Sequence, residues 1–137
     1  MTATVPPAAA PPAIAEALRR LLANSHAPYS GVRVSAIVEA GDGRTYEGVN
    51  VENAAYPQGL CAEASAIATG VTQGLTSIRR VWVASSLPGL IWPCGGCRQK
   101  IWEFSAPGCE VVSVADDGTA ESHTIEALLP LGFRLER

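Results

Sequence analysis

Residues 78–85 of the chain are Ile-Arg-Arg-Val-Trp-Val-Ala-Ser, a run rich in β-branched and aromatic side chains. Such continuous apolar runs are typical of strands that are buried on both faces of a sheet. An Ala-rich segment that begins about Cys61 and ends near Gly70 or Gly74 precedes the run, and a second segment from Pro93-Cys94 to about Phe104 follows it. Both segments predict helices, so the stretch indicates an α/β fold with a buried strand between two helices.

The remaining periodic segments complete the predicted fold. They are a helix at residues 12–24, strands at 32–39 and 44–49, a buried strand at 109–114, a weaker strand at 119–124 and a short helix at 125–129. Gly41-Asp42-Gly43 supplies a tight turn that joins the first two strands into a hairpin. Alternating strands and helices imply parallel crossovers. We therefore expect a three-layer α/β/α fold with a mixed five-stranded sheet.

Length and composition bound the organisation of the chain. At 137 residues and 14.3 kDa it fits one domain with a single substantial core. The first residues, up to position 11, are rich in Pro and Ala, and we predict that residues 1–11 form a disordered arm. Residues 12–137 are then expected to form one domain.

Charge and hydropathy exclude several classes of partner. A net charge of -3 with ten basic residues gives no footprint for duplex nucleic acid, which is bound mainly through its phosphates. No apolar run approaches the ~20 residues that span a bilayer, and the proline-rich start lacks the features of a secretory signal. We therefore expect a cytoplasmic protein without nucleic-acid or membrane partners, whose four cysteines are metal-binding or catalytic rather than disulfide-bonded.

Three of the cysteines stand at predicted helix starts. Cys61 opens one helix, and Cys94 and Cys97 open the next. Free N–H groups and the positive dipole end of a helix stabilise thiolates. If the two helices follow neighbouring parallel strands, the three sulfurs converge at one edge of the sheet. Three protein ligands with an open fourth position are typical of a catalytic zinc site.

Glu63 supplies a proton carrier beside that site. Residues two apart do not share a helix face, so Glu63 is not expected to be a ligand next to Cys61. It can instead approach the open position of the metal from the side. Zinc lowers the pKa of a bound water towards ~7, and a partly dehydrated carboxylate is suited to accept and return the proton.

Each piece also has an ordinary explanation. A single buried cysteine such as Cys61 is usually a small hydrophobic residue. The Cys94/Cys97 pair also fits a redox dithiol of the thioredoxin kind, although no such function needs Cys-Ala-Glu upstream. Cys109 lies within a predicted strand and is expected in the core.

Three segments together resemble the short-chain cytidine deaminase family. They are residues 50–56 (Asn-Val-Glu-Asn-Ala-Ala-Tyr), 61–63 (Cys-Ala-Glu) and 93–99 (Pro-Cys-Gly-Gly-Cys-Arg-Gln). The resemblance extends over residues 14–133, with Pro28-Tyr29-Ser30 and Leu128-Leu129-Pro130 also in the family pattern. It implies hydrolytic deamination of cytidine or deoxycytidine to the uridine analogue and ammonia, in pyrimidine salvage.

The resemblance also implies roles for individual residues at the metal. Cys61, Cys94 and Cys97 would bind Zn²⁺ as the cofactor. Glu63 would carry protons to N3 of the pyrimidine and then to the departing amine, while water activated at zinc attacks C4.

Further roles concern the substrate and the assembly. By resemblance, Asn50 and Glu52 hydrogen-bond the ribose hydroxyls, and the N–H of Ala62 meets the base carbonyl. The family also implies a homotetramer in which Phe133 reaches across an interface. Without the motif, Asn50 is better explained as a loop residue with local hydrogen bonds, and Glu52 as a solvated charge.

The chain departs from the family pattern at three positions. Ala64 stands where the family usually has an arginine that donates hydrogen bonds to the thiolates. Val32 replaces an aromatic wall of the nucleoside pocket, and Trp92 replaces a serine before Pro-Cys. These changes leave open a modified or antibiotic aminopyrimidine nucleoside as substrate, as for the related blasticidin S deaminase. The same motifs also fit a weakly catalytic zinc-binding relative and, more distantly, a polynucleotide-editing deaminase.

Overall fold

The computed structural model of the protein describes residues 9–135, and each predicted helix and strand is present in it. In chain order the elements are α1 (Pro12–Leu22), β1 (Val34–Ala40), β2 (Thr45–Val49), a short 3-10 helix (Tyr56–Gln58), α2 (Ala62–Thr72), β3 (Ile78–Ser85), α3 (Gly95–Phe104), β4 (Ser105–Val114), β5 (Ala120–Thr124) and α4 (Ile125–Leu128).

Two boundaries differ from the prediction for a physical reason. Strand β4 begins at Ser105 rather than at residue 109, because the C-cap of α3 already has extended backbone angles and the chain enters the strand without a loop. Strand β1 begins at Val34, so Val32 lies in the segment that precedes the sheet. Sequence periodicity carries little information at such junctions.

The five strands form one mixed sheet, as predicted, and the strand order is β2-β1-β3-β4-β5. Only β3 and β4 pair in parallel, while the other neighbouring pairs are antiparallel. The strands that precede α2 and α3 are therefore parallel to each other but are not neighbours, because β1 lies between them. This corrects the prediction of neighbouring strands. Both strands still end at one edge, since Val49 pairs with Ser35 and Ser85 with Val34.

The sheet is covered on both faces, which confirms the three-layer architecture. On one face Leu18 and Leu21 of α1 pack with Ile37, Trp82 and Val112. On the opposite face α2, α3 and α4 bury their apolar side chains. This second cluster includes Ala62, Ala66, Ile101 and Ile125 against Val38, Val81 and Val111. Alternate residues of the central strand β3 thus enter two separate apolar layers, as its continuous hydrophobicity indicated.

Helix α2 lies in close contact with β2. A Cβ atom on Gly48 would stand 2.3 Å from the backbone nitrogen of Ala66 and 2.6 Å from the carbonyl oxygen of Ala62. Only glycine on the strand and alanine on the helix allow this approach. The small residues therefore set the depth at which the N-terminus of α2, with its Cys61 N-cap, stands over the sheet edge.

The described residues include positions 9–11, the last three of the predicted arm. Most of the predicted arm, residues 1–11, falls outside the described residues. Ala10, however, is only 7% exposed, and its N–H donates to the carbonyl oxygen of Gly118 at 3.2 Å. Ala10 is therefore packed and hydrogen-bonded, while the division into an arm and one domain stays a prediction. Within residues 9–135, no helix has the combination of length and apolar character that crossing a bilayer requires.

Candidate metal and substrate site

Three thiols meet where α2 and α3 begin. Cys61 is the N-cap of α2, Cys94 is the N-cap of α3, and Cys97 lies in the first turn of α3. The three sulfur atoms lie within 4.8 Å of one another, and the Cys61 and Cys94 Sγ atoms are 4.0 Å apart. A tetrahedral zinc with Zn–S bonds of ~2.3 Å separates its sulfurs by ~3.8 Å. The donor set and its spacing therefore fit zinc.

The surroundings of the thiols set their acidity in opposite directions. The backbone N–H groups of Cys97 and Gly96 point at the Cys94 sulfur and lower the pKa of that thiol. Burial raises the pKa of the Cys97 thiol, and burial together with the nearby Cys94 raises that of Cys61. The N-terminus of α3 thus favours the thiolate form of Cys94, whereas burial disfavours the thiolate forms of Cys61 and Cys97, whose deprotonation is coupled to metal binding.

Glu63 is the buried carboxyl group of this region. It lies in the first turn of α2 and is 4% exposed. Burial raises the pKa of its carboxyl, and hydrogen bonds from its own backbone N–H and the Cys97 thiol, together with the charge of Lys100, oppose that rise in part. A carboxyl group in this state exchanges a proton more readily near neutral pH than an exposed glutamate does.

A cavity of about 380 Å³ opens at the thiol cluster. Its lining combines the predicted site residues with an apolar wall: Val34, Asn50, Val51, Glu52, Tyr56, Gly59, Leu60, Cys61, Ala62, Glu63, Ile91, Trp92 and Cys94. The structure thus brings together two of the three thiols, the buried carboxyl, the α2 N-terminus and the two polar residues of the preceding loop. Cys97 is 1% exposed and does not line the cavity.

Comparison with known proteins identifies this arrangement. Residues 13–113 match the family described as the cytidine and deoxycytidylate deaminase zinc-binding region. The chain belongs to this deaminase family. It is 38% identical over 112 residues to a cytidine deaminase of Sporosarcina psychrophila, and the aligned region covers 82% of each chain. It is 34% identical over 122 residues to a cytidine deaminase of Mycoplasma genitalium, which covers 88% of this chain and 93% of the relative.

Solved structures agree with the family and with the fold. The cytidine deaminase of Burkholderia pseudomallei superimposes with a TM-score of 0.82 at 34% identity, over 88% of this chain and 97% of that one. The cytidine deaminase of Mycobacterium leprae gives a TM-score of 0.73 at 35% identity, over 85% of this chain and 93% of that one. The predicted deaminase fold and the predicted zinc cofactor are therefore confirmed, the latter also by the three-cysteine cluster.

In this deaminase the Asn50 side chain holds the segment before β1. Its Oδ1 accepts hydrogen bonds from the Val34 N–H at 2.8 Å and from the Ser25 hydroxyl, and its Nδ2 donates to the Val32 carbonyl oxygen at 2.9 Å. The amide has a second N–H to donate. Asn50 therefore has a structural role in addition to its place in the cavity.

Glu52 is held as an oriented carboxylate. Its Oε1 accepts hydrogen bonds from the N–H groups of Tyr29 at 2.9 Å and Ser30 at 3.1 Å, and its Oε2 accepts one from the Ser30 hydroxyl. The Ser30 hydroxyl is the main cause that lowers the pKa of Glu52 below its ordinary value. The deaminase thus presents an oriented negative acceptor in the wall of the cavity.

Val32 and Phe133 are not among the residues that line the cavity. Val32 contributes its carbonyl oxygen to Asn50, and the apolar wall at this point comes from Val34. Phe133 is 66% exposed, and its carbonyl oxygen accepts a hydrogen bond from Gln99 Nε2 at 2.9 Å. Within one chain these two residues therefore stand outside the group that the cavity brings together.

Trp92 and Arg98 were part of the sequence pattern, but the pattern did not specify which residues they contact. Trp92 lines the cavity and packs edge-to-face on His123, with ring centroids 4.9 Å apart. Arg98 donates from Nε to the Pro93 carbonyl at 2.8 Å and from Nη1 to the Leu128 carbonyl at 3.0 Å, which ties the Cys94 loop to α4. These contacts join segments far apart in the chain, so spacing does not reveal them.

A second cavity adjoins the first at the Glu52 end. It measures about 360 Å³ and is lined by Tyr29, Ser30, Glu52, Asn53, Tyr56 and Gly59. Three of these residues, Glu52, Tyr56 and Gly59, also line the first cavity. Tyr29 and Tyr56 meet edge-to-face with centroids 5.9 Å apart. The motif that contains Tyr56 marked this loop, but only the fold places Tyr29 beside it.

Proposed function

We propose that the protein hydrolyses the amino group at C4 of cytidine and deoxycytidine and releases ammonia. One observation carries the proposal: a carboxyl group that is 4% exposed, Glu63, stands beside three convergent cysteine sulfurs at the end of a cavity of about 380 Å³. The names of the similar proteins, all cytidine deaminases, support the substrate.

In this proposal Cys61, Cys94 and Cys97 hold the metal and Glu63 moves the protons. Zinc, when bound, would polarise water so that it is a nucleophile at neutral pH. Glu63 takes the proton of the attacking water and delivers it to N3 of the base. It then takes the proton of the new hydroxyl group on C4 and passes it to the amino group, so that the C4–N bond breaks, a C4–O carbonyl forms and ammonia leaves.

The other residues orient the nucleoside. The Ala62 N–H is at the first turn of α2, where helical N–H groups have no partner within the helix, and it donates to the carbonyl oxygen of the base. Asn50 and Glu52 bind the sugar hydroxyls. Because the Glu52 carboxylate repels a phosphate at this end of the cavity, we propose that the substrate is a nucleoside rather than a nucleotide.

We also propose a homotetramer that works in cytoplasmic pyrimidine salvage without a nucleic-acid partner. Leu131, Phe133 and Leu135 are 103%, 66% and 68% exposed, which supports burial of this segment by another copy of the chain. In that assembly Phe133 reaches a neighbouring site and Val32 contributes to the substrate wall. Native mass spectrometry tests the stoichiometry directly.

One observation favours a second substrate class. The adjoining cavity of about 360 Å³ with Tyr29 and Tyr56 offers space beyond the sugar. A modified aminopyrimidine nucleoside with an additional group on its sugar therefore remains the second candidate.

The test is ammonia release from cytidine, deoxycytidine, deoxycytidylate and sugar-extended aminopyrimidine nucleosides. We expect turnover of the first two and little of the nucleotide. Glu63→Gln should keep zinc and lose at least about 10²-fold in kcat, because only the proton carrier is removed. Glu47→Gln, an exposed glutamate of β2, is the matched control. Zinc binding by the wild type without any turnover would instead indicate a binding module.

A further inference from the structure

The cysteine–zinc cluster carries a charge that the protein has to accommodate. Three thiolates around a divalent cation have a net negative charge, and the carboxyl group of Glu63 stands beside them. Negative charge in a partly buried region raises the free energy of the folded protein unless helix N-termini or a cation balance it. The first turns of α2 and α3 supply part of that balance, since they begin at the ligands.

No arginine within the described residues is hydrogen-bonded to a sulfur of the cluster, although Arg98, which follows Cys97, donates to the Pro93 carbonyl and so keeps its own charge close to the ligands. Each arginine within residues 9–135 donates to a carboxylate or to a backbone carbonyl. The contacts are Arg19 with Glu16, Arg20 with Glu47, Arg44 with Asp42, Arg79 and Arg80 with Glu39, Arg33 and Arg98 with backbone carbonyls, and Arg134 with Trp102. Among the lysine and arginine side chains in this part of the chain, Lys100 is the one for which the structure shows neither a hydrogen bond nor an ion pair.

The Lys100 ammonium stands next to the thiol cluster. Lys100 lies four residues after Gly96 on α3, so its side chain runs back over the first turn of the helix. A Cβ atom on Gly96 would stand 3.7 Å from Lys100 Nζ and 4.0 Å from Cys94 Sγ. The ammonium and the sulfur therefore lie within ~8 Å of each other, a Debye length at physiological ionic strength. The charge of Lys100 also acts on Glu63.

We propose that Lys100 is a positioning residue that balances the negative charge of the cysteine–zinc cluster from the exposed side of α3. It contacts no reacting atom. Its ammonium stabilises the thiolate form of the cluster, and through it the retention of zinc. The inference rests on the zinc site and does not depend on which nucleoside the enzyme accepts.

The test compares zinc affinity in the full-length protein and three variants by competition with a chromophoric chelator. At pH 6 free thiols are largely protonated, so zinc binding converts neutral thiols into a negatively charged cluster. Under these conditions and at low salt, Lys100→Met should bind zinc about two- to sixfold more weakly, the effect of one charge at ~8 Å and an effective dielectric constant of ~40–80. Lys100→Arg should bind zinc like the wild type.

Arg19→Met is the matched control, because it removes the same charge from α1 on the opposite face of the sheet. It should leave zinc affinity unchanged. The loss of zinc affinity in Lys100→Met should also be smaller in about 0.5 M salt, because salt screens the interaction between the ammonium and the cluster. Equal affinity of Lys100→Met and the wild type at low salt would overturn the proposal, and so would an equal loss in Arg19→Met. Lys100→Glu provides a second variant, and its zinc affinity should be about five- to thirtyfold lower by the same reasoning.

Discussion

The backbone nitrogen of Ala66 lies 2.3 Å from the point that a Cβ on Gly48 would occupy, so α2 rests directly on the backbone of β2. This contact fixes the position of α2 on the sheet, and with it the positions of Cys61 and Glu63 at the start of the helix. The neighbouring atoms at Gly48 are backbone atoms, which cannot move aside as a flexible side chain can. The site therefore depends on a residue that contributes no functional group.

Gly48→Ala should destabilise the protein strongly for this reason. Overpacking a tight core usually costs about 1–3 kcal/mol, and we expect the upper end or beyond because α2 has to shift as a unit. Urea unfolding of the zinc-loaded protein measures the loss. Gly41→Ala is the matched control in the same hairpin: its Cβ would meet Ser77 at 3.8 Å, an ordinary contact. A Gly48→Ala variant as stable as Gly41→Ala would contradict the contact.

Two buried cysteines should respond differently to removal. Cys97 and Cys109 are each 1% exposed, but only Cys97 belongs to the sulfur cluster. Cys97→Ala should lose stoichiometric zinc and turnover. Cys109→Ala should keep both and lose about 1–2 kcal/mol of unfolding free energy, as a small core truncation does. Metal analysis of the purified variants decides the matter, and loss of zinc from Cys109→Ala would contradict the assignment of ligands.

The cysteine cluster and the sheet beneath it show what the sequence can and cannot predict. The thiol–carboxyl motif at residues 61–63 and the buried strand at 78–85 are local patterns, so the sequence predicted both. The convergence of Cys61 with Cys94 depends on strand order. Strands β2 and β3, which precede the two helices, are separated by β1 in the sheet. The Arg98 contacts with Pro93 and Leu128 join three separate segments, and no spacing rule encodes such contacts. Motif chemistry is therefore readable in advance, while the residues that hold the motifs in place are not.

Glu52 should determine affinity for the sugar more than the rate of chemistry. Glu52→Gln should raise KM for cytidine about tenfold with a smaller change in kcat, because a charged acceptor makes stronger hydrogen bonds than the neutral amide that replaces it. Its pKa is lowered below 4.5, mainly by the Ser30 hydroxyl, so the carboxylate stays ionised as the pH falls towards that value.

Ser30→Ala removes that hydroxyl and should raise the pKa of Glu52 towards its ordinary value. The rise in KM on acidification should then begin at a higher pH in Ser30→Ala than in the wild type. Steady-state kinetics between about pH 4 and pH 7 tests the shift, with Ser86→Ala as a serine control outside both cavities. An identical KM profile for Ser30→Ala and the wild type would exclude this role for the Glu52–Ser30 contact.

Ala64 offers a direct way to exchange one compensating cation for another. It lies in the first turn of α2, two residues inside the helix from Ala62, at the position where the resemblance to short-chain deaminases leads one to expect an arginine. If Lys100 balances the cluster from α3, an arginine at position 64 should take over that task from α2. Ala64→Arg combined with Lys100→Met should therefore recover the zinc affinity that Lys100→Met alone loses at pH 6 and low salt. Ala64→Gln, which is long and polar but uncharged, should not restore it. Recovery with Gln as well as Arg would mean that side-chain bulk or hydrogen bonding, and not charge, governs zinc retention.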